Sequence, residues 1–328
     1  MKPDKLLKID ELVEKIEPLG SLVEVQNPDC DRGSAQTGFC YSRIPHTVTL
    51  AADFKWLDMA LQSPYISCII TGSEVTDLLN QKDSMIQDIK KPILVYQNPK
   101  DSYYHLHNLE LHQYTYETGL REERGYISPT AKIHPTAVIE DEVFIGDNVA
   151  IGPLTIIRRG TRIGKGSTID EHCTIGSEGL FTKTIGGMRQ HIKHYGGVHI
   201  GKNCIIHAGV NVSRSVNFNA TTILEDDVDC GIQTNVAHDS FIGSGTTLSS
   251  KVVLAGRVYV ESNCWIGAGS VLSNGIHVGK NSRVRIGSVV VSDLQENSDV
   301  SGNFARPHHE SLRTFLQNKV VMRNEQSN

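Results

Sequence analysis

From Ile127 onward a large apolar residue returns at every sixth position, through Ile133, Ile139, Ile145, Ile151, Ile157, Ile163 and Ile169 to Ile175. The spacing resumes at Ile200 and runs through Ile206, Val212, Phe218, Leu224, Cys230 and Val236 to Val290, sixteen positions in register. Four residues after each comes a second, often smaller inward candidate, as in Ala131, Ala137, Val143, Val149 and Cys173. A helix of 3.6 residues per turn would scatter a six-residue period around its surface. A short strand followed by a turn instead returns the chain to the same inward position each time. Three such strands close one triangular coil and advance it by about 4.8 Å. The pattern therefore predicts a parallel β-helix of about eight coils over residues 127–300. Glycines directly after the apolar residue, such as Gly146, Gly164, Gly243 and Gly267, suit tight bends between the strands.

This periodicity resembles that of hexapeptide-repeat proteins, and the resemblance implies a left-handed coil. The one long excursion, from Ser177 to Gly197, carries Lys183, Arg189, His191, Lys193 and His194. Long loops on a rigid scaffold are usually functional, and this one is suited to a phosphate or an acidic partner.

Residues 1–115 lack the period and read as a small α/β domain. Leu6 to Ile16 has helical apolar spacing, Ile66–Ile70 and Ile93–Tyr96 read as strands, and Ser73 with Glu74 and Asp77 opens a helix. A polar linker is expected over 116–126. In the C-terminal segment, 301–328, Leu312, Phe315, Leu316 and Val320 predict a helix.

The 328 residues allow two folded units, and a net charge of −5 gives no electrostatic footprint for nucleic acid. No signal peptide or membrane span can be drawn through the charges of the N-terminus. The seven cysteines form no C-x-x-C pair, and four of them (Cys173, Cys204, Cys230, Cys264) fall on inward repeat positions. They read as core residues in a reducing, cytoplasmic setting.

A β-helix has no deep interior cavity, so chemistry must sit on its faces and corners. His238 lies two residues after the inward Val236, which directs it to an exposed turn, and one coil further on stands Gly256. An imidazole beside a bare backbone N–H suits acyl transfer: the base takes a proton from an attacking amine, and the amide meets the oxyanion.

At these residues a more specific resemblance emerges. Asn235-Val-Ala-His238-Asp239, the downstream Leu-Ala-Gly256, and an excursion opening Ile-Gly-Ser-Glu-Gly179 resemble the UDP-3-O-acylglucosamine N-acyltransferases of lipid A synthesis. Thr49–Trp56 and Pro92–Pro99 resemble that family's N-terminal uridine-binding domain, and Phe304–His308 the approach to its C-terminal helix. The resemblance implies His238 as general base, Gly256 as oxyanion donor, and a homotrimer with sites between subunits. It implies an acyl thioester on acyl carrier protein or coenzyme A as co-substrate, with no tightly bound cofactor and no metal. Leu50, Asp53, Trp56, Asn235, Asp239 and His277 are the expected substrate-binding residues, with Trp56 stacking on the base. Leu50 and Asp53 replace the family's usual phenylalanine and asparagine, Gly275 stands near the place of a second histidine, and Ser213-Arg214-Ser215 replaces an Asp-Arg-Gly segment. These departures point to a nucleotide-linked amino sugar with altered contacts.

Three rivals share the scaffold. An acetyl-coenzyme A-dependent sugar N-acetyltransferase would need no long acyl pocket. A zinc enzyme resembling the β-helix carbonic anhydrases would draw on His191, His194, His199 and His207. A trimerising scaffold without catalysis would need neither the N-terminal domain nor the excursion.

Overall fold

The computed structural model describes residues 6–18, 21–81, 91–109, 125–218, 220–302, 310 and 313. Most of the expected linker, and nearly all of the expected C-terminal helix, lie outside these residues.

In the N-terminal part, Ile9, Leu12 and Ile16 share one face and make α1 (Ile9–Ile16) amphipathic. The remaining elements are β1 (Leu22–Gln26), β2 (Gln36–Gly38), β3 (Thr47–Leu50), α2 (Phe54–Gln62), β4 (Ile66–Thr71), α3 (Ser73–Gln81), β5 (Ile93–Tyr96) and α4 (Pro99–Asn108). The sheet order is β1-β5-β4-β3-β2, parallel except for β1. Every residue of β4 is buried, as a strand covered on both faces requires. One core joins Leu12, Ile70 and Leu94 to Leu106 of α4, and the other joins Ile69 and Ile93 to Leu57 and Leu61 of α2.

Beyond it the chain winds into a left-handed parallel β-helix with three parallel sheets. The first sheet runs from Tyr126–Ile127 to His277–Val278, the second from Lys132–Ile133 to Asp299–Val300, and the third from Val138–Ile139 to Val289–Val290. Inward residues stack in register, Val212 on Val236 on Leu254, and form one continuous core. Most corners place the third residue after the inward one in the left-handed region, as at Asn148, Asn203, Asp239, Arg257 and Asn263. Apart from Gly176 (φ 87°), the glycines that directly follow the inward residue are not there for a special φ. A Cβ on Gly243 would come 2.5 Å from the amide nitrogen of Ser262 on the next coil, so close stacking excludes a side chain.

Two departures from the coil fall at the same corner, between the third and first sheets, on adjacent coils. The excursion expected at 177–197 is a β-hairpin of Thr182–Ile185 against Met188–His191. In the next coil, Val212 and Leu224 are twelve residues apart where a single step takes six. Phe218, expected as an inward repeat residue, belongs to this insertion and to no strand.

The hairpin and insertion fasten the N-terminal domain to the coil. His107 of α4 bonds through Nε2 to the carbonyl of Lys193 (2.9 Å), Asn108 donates to the carbonyl of His191 (3.0 Å), and Gly186 N–H donates to Asp101 (3.1 Å). Tyr103 donates its hydroxyl to Asn217 of the insertion (3.3 Å). Among the described residues, no helix is long and apolar enough to cross a membrane.

Candidate active site

His238 stands at the corner that carries both departures, with Gly256 on the following coil. A Cβ on Gly256 would lie 2.7 Å from both Cε1 and Nε2 of the imidazole, so the ring fills the space that glycine leaves. Among the described residues no backbone acceptor takes the Gly256 N–H.

Nδ1 of His238 lies 2.8 Å from a carboxylate oxygen of Asp239. A carboxylate only accepts, so Nδ1 carries the proton, and the neutral form of the ring presents its lone pair on Nε2 beside Gly256. Asp239 is itself held. Its backbone has φ 59°, its N–H donates to Thr222 Oγ1 (2.9 Å), and its other carboxylate oxygen accepts from Val216 N–H of the insertion (3.3 Å). Expected as a substrate contact, Asp239 instead orients the imidazole.

The histidine is not exposed as expected, with 8% of its surface accessible. The hairpin covers it: Phe181 stacks on the ring at 5.7 Å and in turn meets Tyr104 of α4 edge-on at 5.5 Å. His194 stands edge-on to His238 at 5.2 Å. Burial, with His238 beside it, pushes His194 down to about 4 and keeps it neutral. Gly179 packs against both imidazoles, since a Cβ there would meet His238 Cδ2 at 3.1 Å and His194 Nε2 at 3.2 Å.

A groove of about 410 Å³ opens on the pair, between Glu178–Leu180 of the excursion and the outer face of the third sheet. Asn235 lines it and accepts a hydrogen bond from the Asn211 amide (2.9 Å), whose own carbonyl accepts from Ser177 (2.6 Å). Beyond this polar ladder the same face presents Val253, Val271 and Val289, all exposed.

Next to the groove, at the carboxyl ends of β2 and β3, lies a second cavity of about 270 Å³ lined by Phe39, Tyr41, Leu50, Trp56, Tyr104 and Arg257. Crevices at the carboxyl ends of parallel strands are usual ligand sites. Arg257 directly follows Gly256, and its guanidinium lies over the Phe39 ring at 5.2 Å. Burial pushes Tyr41 up to about 12 and also raises Tyr104.

Leu50 and Trp56, expected to contact the nucleotide, both line this cavity. Asp53 does not line it: its carboxylate caps α2 by accepting from the Trp56 N–H (3.1 Å). His277 is also elsewhere, on the outer face of the first sheet against Tyr259 and 2.9 Å from Glu261. Of the four histidines considered for zinc, His191 and His194 stack on one another, while His207 pairs with Asp170 (3.1 Å) and His199 stays on the first sheet. Phe181, Tyr104, Arg257 and Asn274 were missed, since none occupies an inward repeat position. Adding one coil to Gly256 would have found Asn274, whose side-chain oxygen would lie 3.1 Å from a Cβ there.

Residues 123–225 match the GMPPB C-terminal domain model, and residues 257–292 the hexapeptide repeat of succinyl-transferase. An acyl-[acyl-carrier-protein]–UDP-N-acetylglucosamine O-acyltransferase of Sinorhizobium fredii is 32% identical over 36% of this chain and 46% of its own length. A UDP-3-O-acylglucosamine N-acyltransferase of Janthinobacterium is 26% identical over 45% of this chain and 43% of its own. A galactoside O-acetyltransferase of Lactococcus lactis is 31% identical over 30% of this chain and 56% of its own. The chain therefore spans about half the length of the relatives it matches. Among solved structures, LpxA from Bacteroides fragilis is 25% identical, covering 52% of this chain and 68% of that one, with a TM-score of 0.40.

Proposed function

We propose that this chain, a relative of the hexapeptide-repeat acyltransferases, transfers an acyl group from a thioester to the amine of a nucleotide-linked amino sugar. The observation that carries the reading is the imidazole of His238, oriented by Asp239 and pressed against Gly256 at the edge of an open groove.

In this reading the amine attacks the thioester carbonyl while Nε2 of His238 takes its proton. The Gly256 N–H stabilises the oxyanion of the tetrahedral intermediate. The carbon–sulfur bond then breaks, and the thiolate leaves with the proton that His238 returns. Asp239 holds the ring in the tautomer this requires and faces the imidazolium that forms.

The aromatic cavity of the N-terminal domain suits a nucleotide base on Trp56, with Arg257 between base and groove. The valine strip of the third sheet suits an apolar acyl chain. Relatives named for acyl carrier protein and for UDP-sugars support a carrier-bound donor and a UDP-linked acceptor, of which the lipid A precursor is the first candidate. A homotrimer in the cytoplasm belongs to the same reading, and seven free cysteines accord with a reducing compartment.

The test is thiol release from acyl carrier protein and coenzyme A thioesters of graded length, with UDP-linked amino sugars as acceptors. Turnover that needs the amine and grows with chain length supports the proposal. Turnover with acetyl-coenzyme A alone would favour the acetyltransferase reading, and no release above the blank with any pair would sink both.

A further inference from the structure

Outside the His238–Gly256 pair, the base of the hairpin gathers three potential metal ligands. Glu178 precedes its first strand, His191 ends its second, and His194 follows three residues later. One ligand atom from each lies within 4.8 Å of the other two. His191 Nε2 and a Glu178 carboxylate oxygen are 2.6 Å apart, and the two imidazoles stack at 5.7 Å with an interplanar angle of 12°.

His194 makes the cluster more than a surface ion pair. The residue is 2% exposed, and its Nδ1 donates to the carbonyl of Ile192 (2.9 Å). That bond leaves a lone pair on Nε2, the arrangement by which a backbone carbonyl orients a metal-binding imidazole. Among the described residues Nε2 is buried with no hydrogen-bond partner. A buried acceptor of this kind calls for a ligand.

We propose that Glu178, His191 and His194 bind a divalent transition ion of the zinc class within a single chain. Two neutral imidazoles and one carboxylate are a zinc donor set, and three protein ligands leave a fourth position open. The Glu178 and His191 side chains are 50% and 43% exposed, so an ion can enter from solvent. Once bound it would tie the two ends of the hairpin together beside the groove. The assignment is independent of the transferase reading, because it concerns occupancy and not turnover.

The test uses the full chain with any affinity tag removed, stripped with a chelator and titrated with zinc by calorimetry and with cobalt(II) by visible absorption. Expected are one ion per chain, cobalt bands of a low-coordinate N/O site, and a rise in Tm with zinc. Glu178→Gln and His191→Ala change exposed side chains and should fold as the parent does. His191→Ala and His194→Ala should each weaken binding by more than the roughly 10- to 100-fold that loss of an outer partner costs. His207→Ala, at a histidine paired with Asp170 on the coil, should bind as the parent does. With fourteen histidines in the chain, that control separates this site from adventitious binding. Absence of a stoichiometric site, or an affinity unmoved by both Glu178→Gln and His191→Ala, overturns the assignment.

Discussion

The imidazole of His238 occupies the space that a side chain at Gly256 would need, one coil along the helix. A methyl group there would stand 2.7 Å from Nε2 and Cε1, and the backbone of Gly256 is not in the left-handed region, so alanine is compatible with the fold itself. Gly256→Ala should therefore displace the base without unfolding the coil. Misplacing a reacting group by about 1 Å costs on the order of 10²-fold in rate. We expect kcat to fall by about that factor while Tm stays close to the parent value. Parent-like turnover would mean that this face of the ring takes no part.

Removing the base should cost more than misplacing it. His238→Ala is expected to lower kcat by about 10²- to 10⁴-fold, the usual contribution of a positioned general base. Asp239→Ala should lose less, because the ring remains but is free to adopt the wrong tautomer. Residues acting as a unit are not additive, so the double variant should be no slower than His238→Ala alone. Steady-state kinetics of the three variants decides this, and additive losses would mean that Asp239 acts elsewhere.

How much of this arrangement could be read in advance depends on whether a feature shares the six-residue period. The pairing of His238 with Gly256 was legible because both lie on the coil, eighteen residues and one turn apart. The cover over His238 was not, because Phe181 sits in a hairpin whose fold the repeat does not encode. Phe218 was misread for a related reason: the insertion is itself six residues long, which keeps everything after it in phase and hides it from any test of period. Asp53 was read as a ligand contact although Asp53-Phe-Lys-Trp56 is also an ordinary helix start, and capping is what the carboxylate does. In α4 the buried positions are Ser102, Tyr103, Leu106 and His107, three of them able to hydrogen-bond, so no apolar stripe announced it.

The aromatic cavity predicts a separation of binding from chemistry. Stacking of a base on an aromatic side chain is worth about 1–3 kcal/mol. Trp56→Ala should raise KM for the nucleotide sugar accordingly and leave kcat nearly unchanged, since Trp56 contributes to the cavity and not to the groove. The chain has two tryptophans, so Trp265→Phe leaves Trp56 as sole reporter. Its fluorescence should change on adding a nucleotide sugar and not on adding the thioester. A response to the thioester alone would reassign the cavity to the donor.

Thiol chemistry offers a check on both the core and the cavity. Cys30 is the one cysteine that is not buried, and it should react first with iodoacetamide. Burial pushes Cys173 and Cys204 up to about 11 and Cys68 up to about 12, and raises Cys230 further and Cys264 to a lesser degree. Raising a thiol's pKa lowers its thiolate fraction, to roughly one part in a thousand for a value near 11 at pH 8, and the thiolate is the nucleophile. These five should stay unlabelled until the chain unfolds. Cys40 is different. It is also raised by burial, yet it lines the aromatic cavity and its sulfur lies 3.4 Å from Thr49 Oγ1. It should label slowly in the native protein, after Cys30, and a nucleotide sugar in the cavity should protect it. Mass spectrometry of timed samples reads all seven sites at once. Fast labelling of Cys204 or Cys230 would contradict the packed coil, and a Cys40 rate indifferent to nucleotide would leave the cavity without its proposed occupant.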